Sequence, residues 1–221
     1  MYKGVVFLLL MCVAVFMGCV KYSDQYDEEK DRDVSLTYYD NTIDFSQYST
    51  YAIVEYVGAV QADSDSLIVT TSEKSTLILD KINENLTGYG LEQVPSAANP
   101  DLLINAHVLN LDVEYSSYYG GYWDMGYYYS YDPYYYGSPS YWGYGGYSYY
   151  YPYSYGYTYS STYGSVLMEM IDSKNRNGIT SQMKMIWTGI VAGTVNSTLG
   201  LDQRITSGID ECFTQSPYLG N

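Results

Sequence analysis

The chain predicts an α+β fold. The expected architecture is two layers: a mainly antiparallel sheet of about four strands, two helices on one face, and a long Tyr-rich low-complexity insertion. Three observations carry this reading. Two stretches repeat apolar residues every three or four positions, so each has one helical stripe to bury. Four other runs are β-branched or aromatic and have at least one apolar face. Tyrosine is the outlier of the composition, at 32 of 221 residues against four Phe, most of them between Tyr115 and Tyr163. Two stripes and one sheet are buried most economically as two packed layers.

The elements follow in order. Lys3 gives a positive start, Val5 to Met17 is almost unbroken apolar sequence, and Gly18 precedes Cys19. That run is shorter than the roughly 20 apolar residues of a membrane span. It matches the roughly 7–15 residues of a secretory signal's apolar region. Residues 1–18 therefore read as a bacterial lipoprotein signal, with Cys19 as the lipidated residue. Phe16 and Met17 are bulkier than the usual residues before such a cysteine, and a plain cleaved signal or an uncleaved anchor are the alternatives. Cys12 is a poorer candidate, because Met11 precedes it within the apolar run. Two or more acyl chains on one cysteine give stable anchoring. The expected location is a bacterial envelope, at the outer membrane, with the membrane itself as a partner through the lipid.

Residues 19–35 form an acidic flexible tether with few apolar groups to bury. Asp24, Asp27, Glu28, Glu29, Asp31 and Asp33 lack the spacing and the glycine of a calcium-binding loop. The single folded domain is expected over 36–221, starting near Leu36, with the insertion at 115–163. Ser49 to Val57 reads as the first strand and Gly58 to Ser66 as a loop. Thr70 and Glu73 have capping-box spacing, and Ile78, Leu79, Ile82 and Leu86 make one apolar stripe. Gly88 and Gly90 are read as the positive-φ stop of that helix.

Pro100-Asp101 leads into a second strand, Leu102 to Glu114, in which Leu109, Leu111 and Val113 alternate with Asn110, Asp112 and Glu114. One wet face is expected there. Ser165 to Asp172 is the third strand, with Val166, Met168 and Met170 on one face. A polar connection, Ser173 to Gln182, turns at Asn177-Gly178 into a fourth strand, Met183 to Val191, antiparallel to the third. Leu201, Ile205, Ile209 and Phe213 recur every four residues and read as a closing helix, capped by Ser197 or Thr198.

Several of these stretches together resemble a known family. They are Tyr48 to Val54, Leu86-Thr87-Gly88-Tyr89, Asn99-Pro100-Asp101-Leu102-Leu103-Ile104, Gly164 to Asp172, Trp187-Thr188-Gly189 and the closing amphipathic helix. The pattern is similar to the bacterial lipoprotein family known as domain of unknown function 4136. The resemblance runs from Asp44 to about Pro217, the Tyr-rich insertion apart. It implies a lipoprotein with an α+β domain and carries over no catalytic residue.

Charge and chemistry exclude more than they assign. The formal net charge is -15, and no Lys or Arg lies between Lys81 and Lys174. Nucleic-acid binding is set aside, because phosphate contacts need cations. His107, the one histidine, lies mid-strand with no second His to complete a zinc set, and reads as a satisfied or surface histidine. Asp112 and Glu114 share a strand face and are the alternative as an envelope glycan hydrolase's acid pair. Trp187 reads as core and Gly189 as a close approach, while Cys212 is left without an intrachain partner and reads as buried on a helix. No cofactor and no enzymatic activity are expected.

The tyrosine segment is the candidate interaction surface. A tyrosine ring is rigid and apolar, and its hydroxyl both donates and accepts. Rings among Gly and Ser have the composition of adaptable binding surfaces. Tyr118, Tyr119, Trp123, Tyr128, Tyr135, Trp142 and Tyr150 are the candidates, with a glycan, peptidoglycan or an envelope protein as partner. The competing reading is an inert low-complexity excursion.

Overall fold

The computed structural model describes residues 34–61, 68–69, 72–110, 137–150, 165–192 and 200–220. All lie in one compact unit, Arg32–Asn221. The strands are β1 (Val34–Tyr39), β2 (Thr50–Ile53), β3 (Gly58–Gln61), β4 (Ile68–Val69), β5 (Glu92–Gln93), β6 (Leu102–Asn110), β7 (Ser148–Tyr150), β8 (Ser165–Asn177) and β9 (Gln182–Ala192). Helix α1 is Ser72–Gly88 and α2 is Leu201–Thr214. The class is α+β with two helices and a mostly antiparallel sheet, but the sheet has nine described strands, not about four. The four expected strands are β2, β6, β8 and β9. The others escape periodicity: β4 and β5 have two residues each, which leaves no alternation to read. β3 begins where a loop was expected, and β1 starts ahead of Leu36, at Val34.

The main path of the sheet is β1-β9-β8-β6-β2-β5. Its long ladders, β1–β9, β8–β9 and β6–β8, are antiparallel. β2 runs parallel to β6, with α1 between them in the chain. The polar connection after Asp172 is shorter than expected, because β8 continues to Asn177.

One face of the sheet carries the apolar stripes that sequence periodicity picks out. Ile104, Ala106 and Val108 of β6 align with Met170, Met168 and Val166 of β8. Those in turn align with Trp187, Gly189 and Val191 of β9. Both helices pack here. The Trp187 ring stacks on Phe213 of α2, with centroids 5.4 Å apart, and its Nε1 donates to the Ser216 hydroxyl at 2.9 Å. Gly208 lets α2 press onto the strand, since a Cβ there would overlap Val191. Tyr51 of β2 hydrogen-bonds Asn83 of α1, and Ile78, Ile82 and Leu86 are fully buried. Lys81 pairs with Asp210 across the two helices at 3.0 Å. Of the helix boundaries, Gly90 has the expected positive φ of 89°, whereas Gly88 is still helical and shows none. Gly200, with φ 66°, occupies the α2 cap position, while Thr70, Ser197 and Thr198 lie outside the described residues.

The wet face expected of the second strand rests on Asn110, Asp112 and Glu114; Asp112 and Glu114 lie outside the described residues. On the opposite face of the sheet β6 has no wet side over Leu102 to Val108, because every residue there is buried. The cover on that second face includes the Tyr-rich insertion. Residues 137–147 form successive turns and 148–150 form β7, which adds to β9 in parallel. This part of the segment is a layer of the domain rather than an excursion from it.

Candidate functional site

The second face is organised around one polar row. Asn105 of β6 aligns with Glu169 of β8, Glu169 with Thr188 of β9, and Thr188 with Tyr38 of β1. His107 lies two residues along β6, on the same side. Asn105, His107, Glu169 and Thr188 are all buried. A buried polar group is costly unless hydrogen-bonded. Here the groups turn on one another and on the covering segment. Glu169 Oε2 lies 3.6 Å from His107 Nε2 and 3.4 Å from Asn105 Nδ2.

Asn105 joins the row to its cover. Its Nδ2 donates to the Gly137 carbonyl at 3.0 Å, and its Oδ1 accepts from Trp142 Nε1 at 3.1 Å. The Tyr149 hydroxyl donates to the same Gly137 carbonyl at 2.6 Å. Gly137 has φ 84°, and a Cβ there would overlap the Asn105 carboxamide. Only glycine suits both the backbone conformation and the close approach. Burial holds the Tyr149 phenol well above its ordinary pKa of 10, and the Glu169 carboxylate pushes the same way. It therefore stays a neutral donor at physiological pH.

The outer side of this layer is aromatic. Tyr141, Tyr144, Tyr147 and Tyr150 are half-buried. The Tyr141 hydroxyl accepts from the Glu55 amide at 3.1 Å and its ring meets Trp142 edge-on, with centroids 4.9 Å apart. Tyr144 and Tyr147 meet edge-on at 6.1 Å.

The expected site residues fall into three groups. Trp142 and Tyr150 are brought to this layer, but Trp142 is 7% exposed and serves as a fastening rather than a surface. His107 is not at the surface: it is a buried member of the polar row. Tyr118, Tyr119, Trp123, Tyr128 and Tyr135 lie outside the described residues, as do Cys19, Asp112 and Glu114. Trp187 is core, and Cys212 is buried on α2, where burial pushes its thiol up to about 12. Among the described residues no group of three His, Cys, Asp or Glu is placed to hold a metal ion. None of their helices is long and apolar enough to cross a membrane.

Sequence reasoning missed Asn105, Glu169 and Thr188. A signal was present in the order of elements. The insertion joins β6 to β8, which are antiparallel neighbours. It leaves and returns at one end of the sheet, beside the strands that carry these polar residues.

A second polar cluster, at the other end of β8, is structural. The Tyr48 hydroxyl donates to Asp172 Oδ2 at 2.8 Å, and the Asn175 amide donates to Asp172 Oδ1 at 2.8 Å. Lys184 pairs with Asp40 at 3.1 Å and Lys174 with Asp101 at 3.2 Å.

Comparison with known proteins places this architecture. The family model described as Domain of unknown function (DUF4136) matches residues 35–218, starting before Asp44 and including the insertion within its span. A crystal structure of a DUF4136 family protein from Bacteroides thetaiotaomicron is similar, with TM-score 0.70 and 26% identity, covering 86% of this chain and 98% of that one. A PDZ domain protein from Parabacteroides distasonis aligns at TM-score 0.44 and 17% identity, over 85% of this chain and 37% of that one. A PelC dodecamer from Paraburkholderia phytofirmans aligns at TM-score 0.39 and 13% identity, over 86% of this chain and 98% of that one. No curated protein matches the chain.

Proposed function

The chain belongs to the DUF4136 family, a domain of unknown function, and from that premise we propose that it is a lipid-anchored, non-enzymatic envelope protein that binds glycan through its Tyr-rich layer. The observation that carries this reading is the Asn105 fastening. It pins Gly137 and Trp142 to a rigid sheet while Tyr141, Tyr144, Tyr147 and Tyr150 stay half-open on the outer side. Rings already held in place lose little entropy when a ligand docks. An aromatic face with a nearby hydroxyl suits a sugar ring, which presents C–H bonds on its face and hydroxyls on its rim. In this reading the buried His107–Glu169–Asn105 row supports the layer and takes no part in chemistry. Anchoring at Cys19 would hold the layer against the envelope, at the outer membrane.

Deleting the whole insertion is a poor test, because it would strip Trp142 and Tyr149 from the buried second face. Replacing Tyr141, Tyr144, Tyr147 and Tyr150 with Leu keeps apolar bulk and removes the rings. Co-sedimentation with peptidoglycan should then fall by about ten-fold or more. Unchanged sedimentation by a folded variant would remove the binding reading. For the anchor, Cys19→Ser should move the protein from the membrane fraction to the soluble one.

A further inference from the structure

Cations are scarce in this acidic chain, and the described lysines are committed. Lys74 pairs with Asp202, Lys81 with Glu84 and Asp210, Lys174 with Asp101, and Lys184 with Asp40. Arg176, near the end of β8, is held differently. Its Nη1 donates to the Ser173 carbonyl at 2.8 Å, and its Cζ lies 5.0 Å from the centroid of the Tyr144 ring. None of the described ion pairs involves it. A guanidinium has five N–H donors, so one backbone carbonyl leaves most of its donor capacity for another acceptor. Tyr144 in turn meets Tyr147 edge-on, with planes 70° apart. Gly145 and Gly146 separate the two tyrosines, so no side chain stands between them in sequence. The Tyr147 hydroxyl lies beside Gly178 in the β8–β9 turn, where a Cβ would sit 3.7 Å from it. All three side chains are half-buried.

We propose that Arg176, Tyr144 and Tyr147 form a binding site for a carboxylate-bearing sugar. This deepens the reading of the Tyr-rich layer as a glycan surface and rests on it. The pyranose face lies on one of the two tyrosine rings, whose planes stand 70° apart, with the edge of the other beside it, and the carboxylate takes the guanidinium fork. Cation–π contact with Tyr144 pre-orients the guanidinium plane, so less freedom is lost per hydrogen bond formed. Charge-assisted bonds to a planar carboxylate are among the stronger and more directional polar contacts. The chain's net charge of -15 opposes an anion at long range. That field is screened within about 8 Å at physiological salt, so at contact distance the guanidinium governs. The overall charge slows encounter without removing the site.

The test is binding by the full chain to three probes: oligogalacturonate, its methyl ester as the neutral control, and soluble peptidoglycan strands freed of their stem peptides by an amidase. Wild type should prefer the acid over the ester by about ten-fold. Arg176→Gln should abolish that preference, and Arg176→Lys should restore only part of it. Tyr144→Leu should weaken acid and ester alike. If the Arg176 dependence is seen with these peptide-free strands and not with oligogalacturonate, the carboxylate is a lactyl group rather than a uronic acid, and the site stands. Equal binding of acid and ester to wild type with no Arg176 dependence on the peptidoglycan strands, or an Arg176→Gln variant that binds every probe as wild type does, overturns this inference. The glycan reading survives that result if Tyr144→Leu still loses binding. Binding to none of the three probes overturns both. Equal thermal midpoints for wild type and variants establish that each variant is folded.

Discussion

The two faces of this sheet are both buried, by opposite means. On the helix face, Met168, Met170, Trp187 and Val191 meet the stripes of α1 and α2. On the second face a polar row, Asn105, Glu169 and Thr188 with His107 beside it, lies under a Tyr-rich layer held by named hydrogen bonds. The first face is closed by area and shape. The second is closed by direction, because a buried carboxamide accepts its partners in only a few geometries. A low-complexity composition can therefore build a structural layer, provided a few of its residues are specified.

The largest effect should come from the helix face. Trp187→Ala removes the ring stacked on Phe213 and leaves the Ser216 hydroxyl without its indole donor. The expected loss is about 3–5 kcal/mol in denaturant unfolding. A loss below about 1 kcal/mol would mean that this face is not the principal core.

On the second face, Gly137→Ala forces a Cβ into Asn105 and a strained positive φ. The cost should be about 1–3 kcal/mol. Proteolysis should increase within 137–150 while α1 and α2 stay protected. Equal loosening of both faces would dissolve the distinction between them.

Acid should act on both faces together, because Asp101 ties β2 to β8 through Ser49 and Lys174. Burial alone would raise the Asp101 carboxyl, but the Ser49 amide, Lys174 and the Ser49 hydroxyl outweigh it and hold it below the ordinary 3.8. At Asp40 burial is likewise outweighed, by the Thr42 hydroxyl and amide and by Lys184. A carboxyl lowered in the folded state stabilises the fold above its unfolded value. That stabilisation fades as pH falls through the folded value. Stability should thus decline below about pH 4, and Asp101→Asn should make the decline shallower. Superimposable pH curves for the two proteins would contradict this.

The smallest effect belongs to the surface pair between the helices. Lys81 meets Asp210 and Glu84, whose side chains are 47% and 72% exposed. Lys81→Met should change stability by less than about 1 kcal/mol. A larger loss would show that the helices depend on charge as well as on their stripes.

The helix face was legible in the sequence because its pattern is periodic. Ile205, Ile209 and Phe213 recur every four residues and all are buried. Val166, Met168 and Met170 alternate and share the helix side of β8. The second face was not legible, because polar residues alternating with apolar ones fit solvent and a buried polar contact equally. Asn105 and His107 alternate with Ile104, Ala106 and Val108, as residues on a wet face do. Nothing in their spacing shows that Trp142 and Tyr149 cover them. Within the insertion, Gly137, Trp142 and Tyr149 are three residues among many of the same types. Their burial follows from partners far away in the chain, such as Asn105, 37 positions from Trp142. The strand count failed for a related reason. β7 is a strand through its pairing with β9, not through a pattern of its own.

The central claim is that one carboxamide fastens the Tyr-rich layer to the sheet. Amide hydrogen exchange of Asn105→Ala against wild type tests it most directly. The account predicts that protection falls across Trp142 to Tyr150 while β8, β9 and α2 exchange as before. Unchanged protection in that segment, with Asn105 gone, would contradict it.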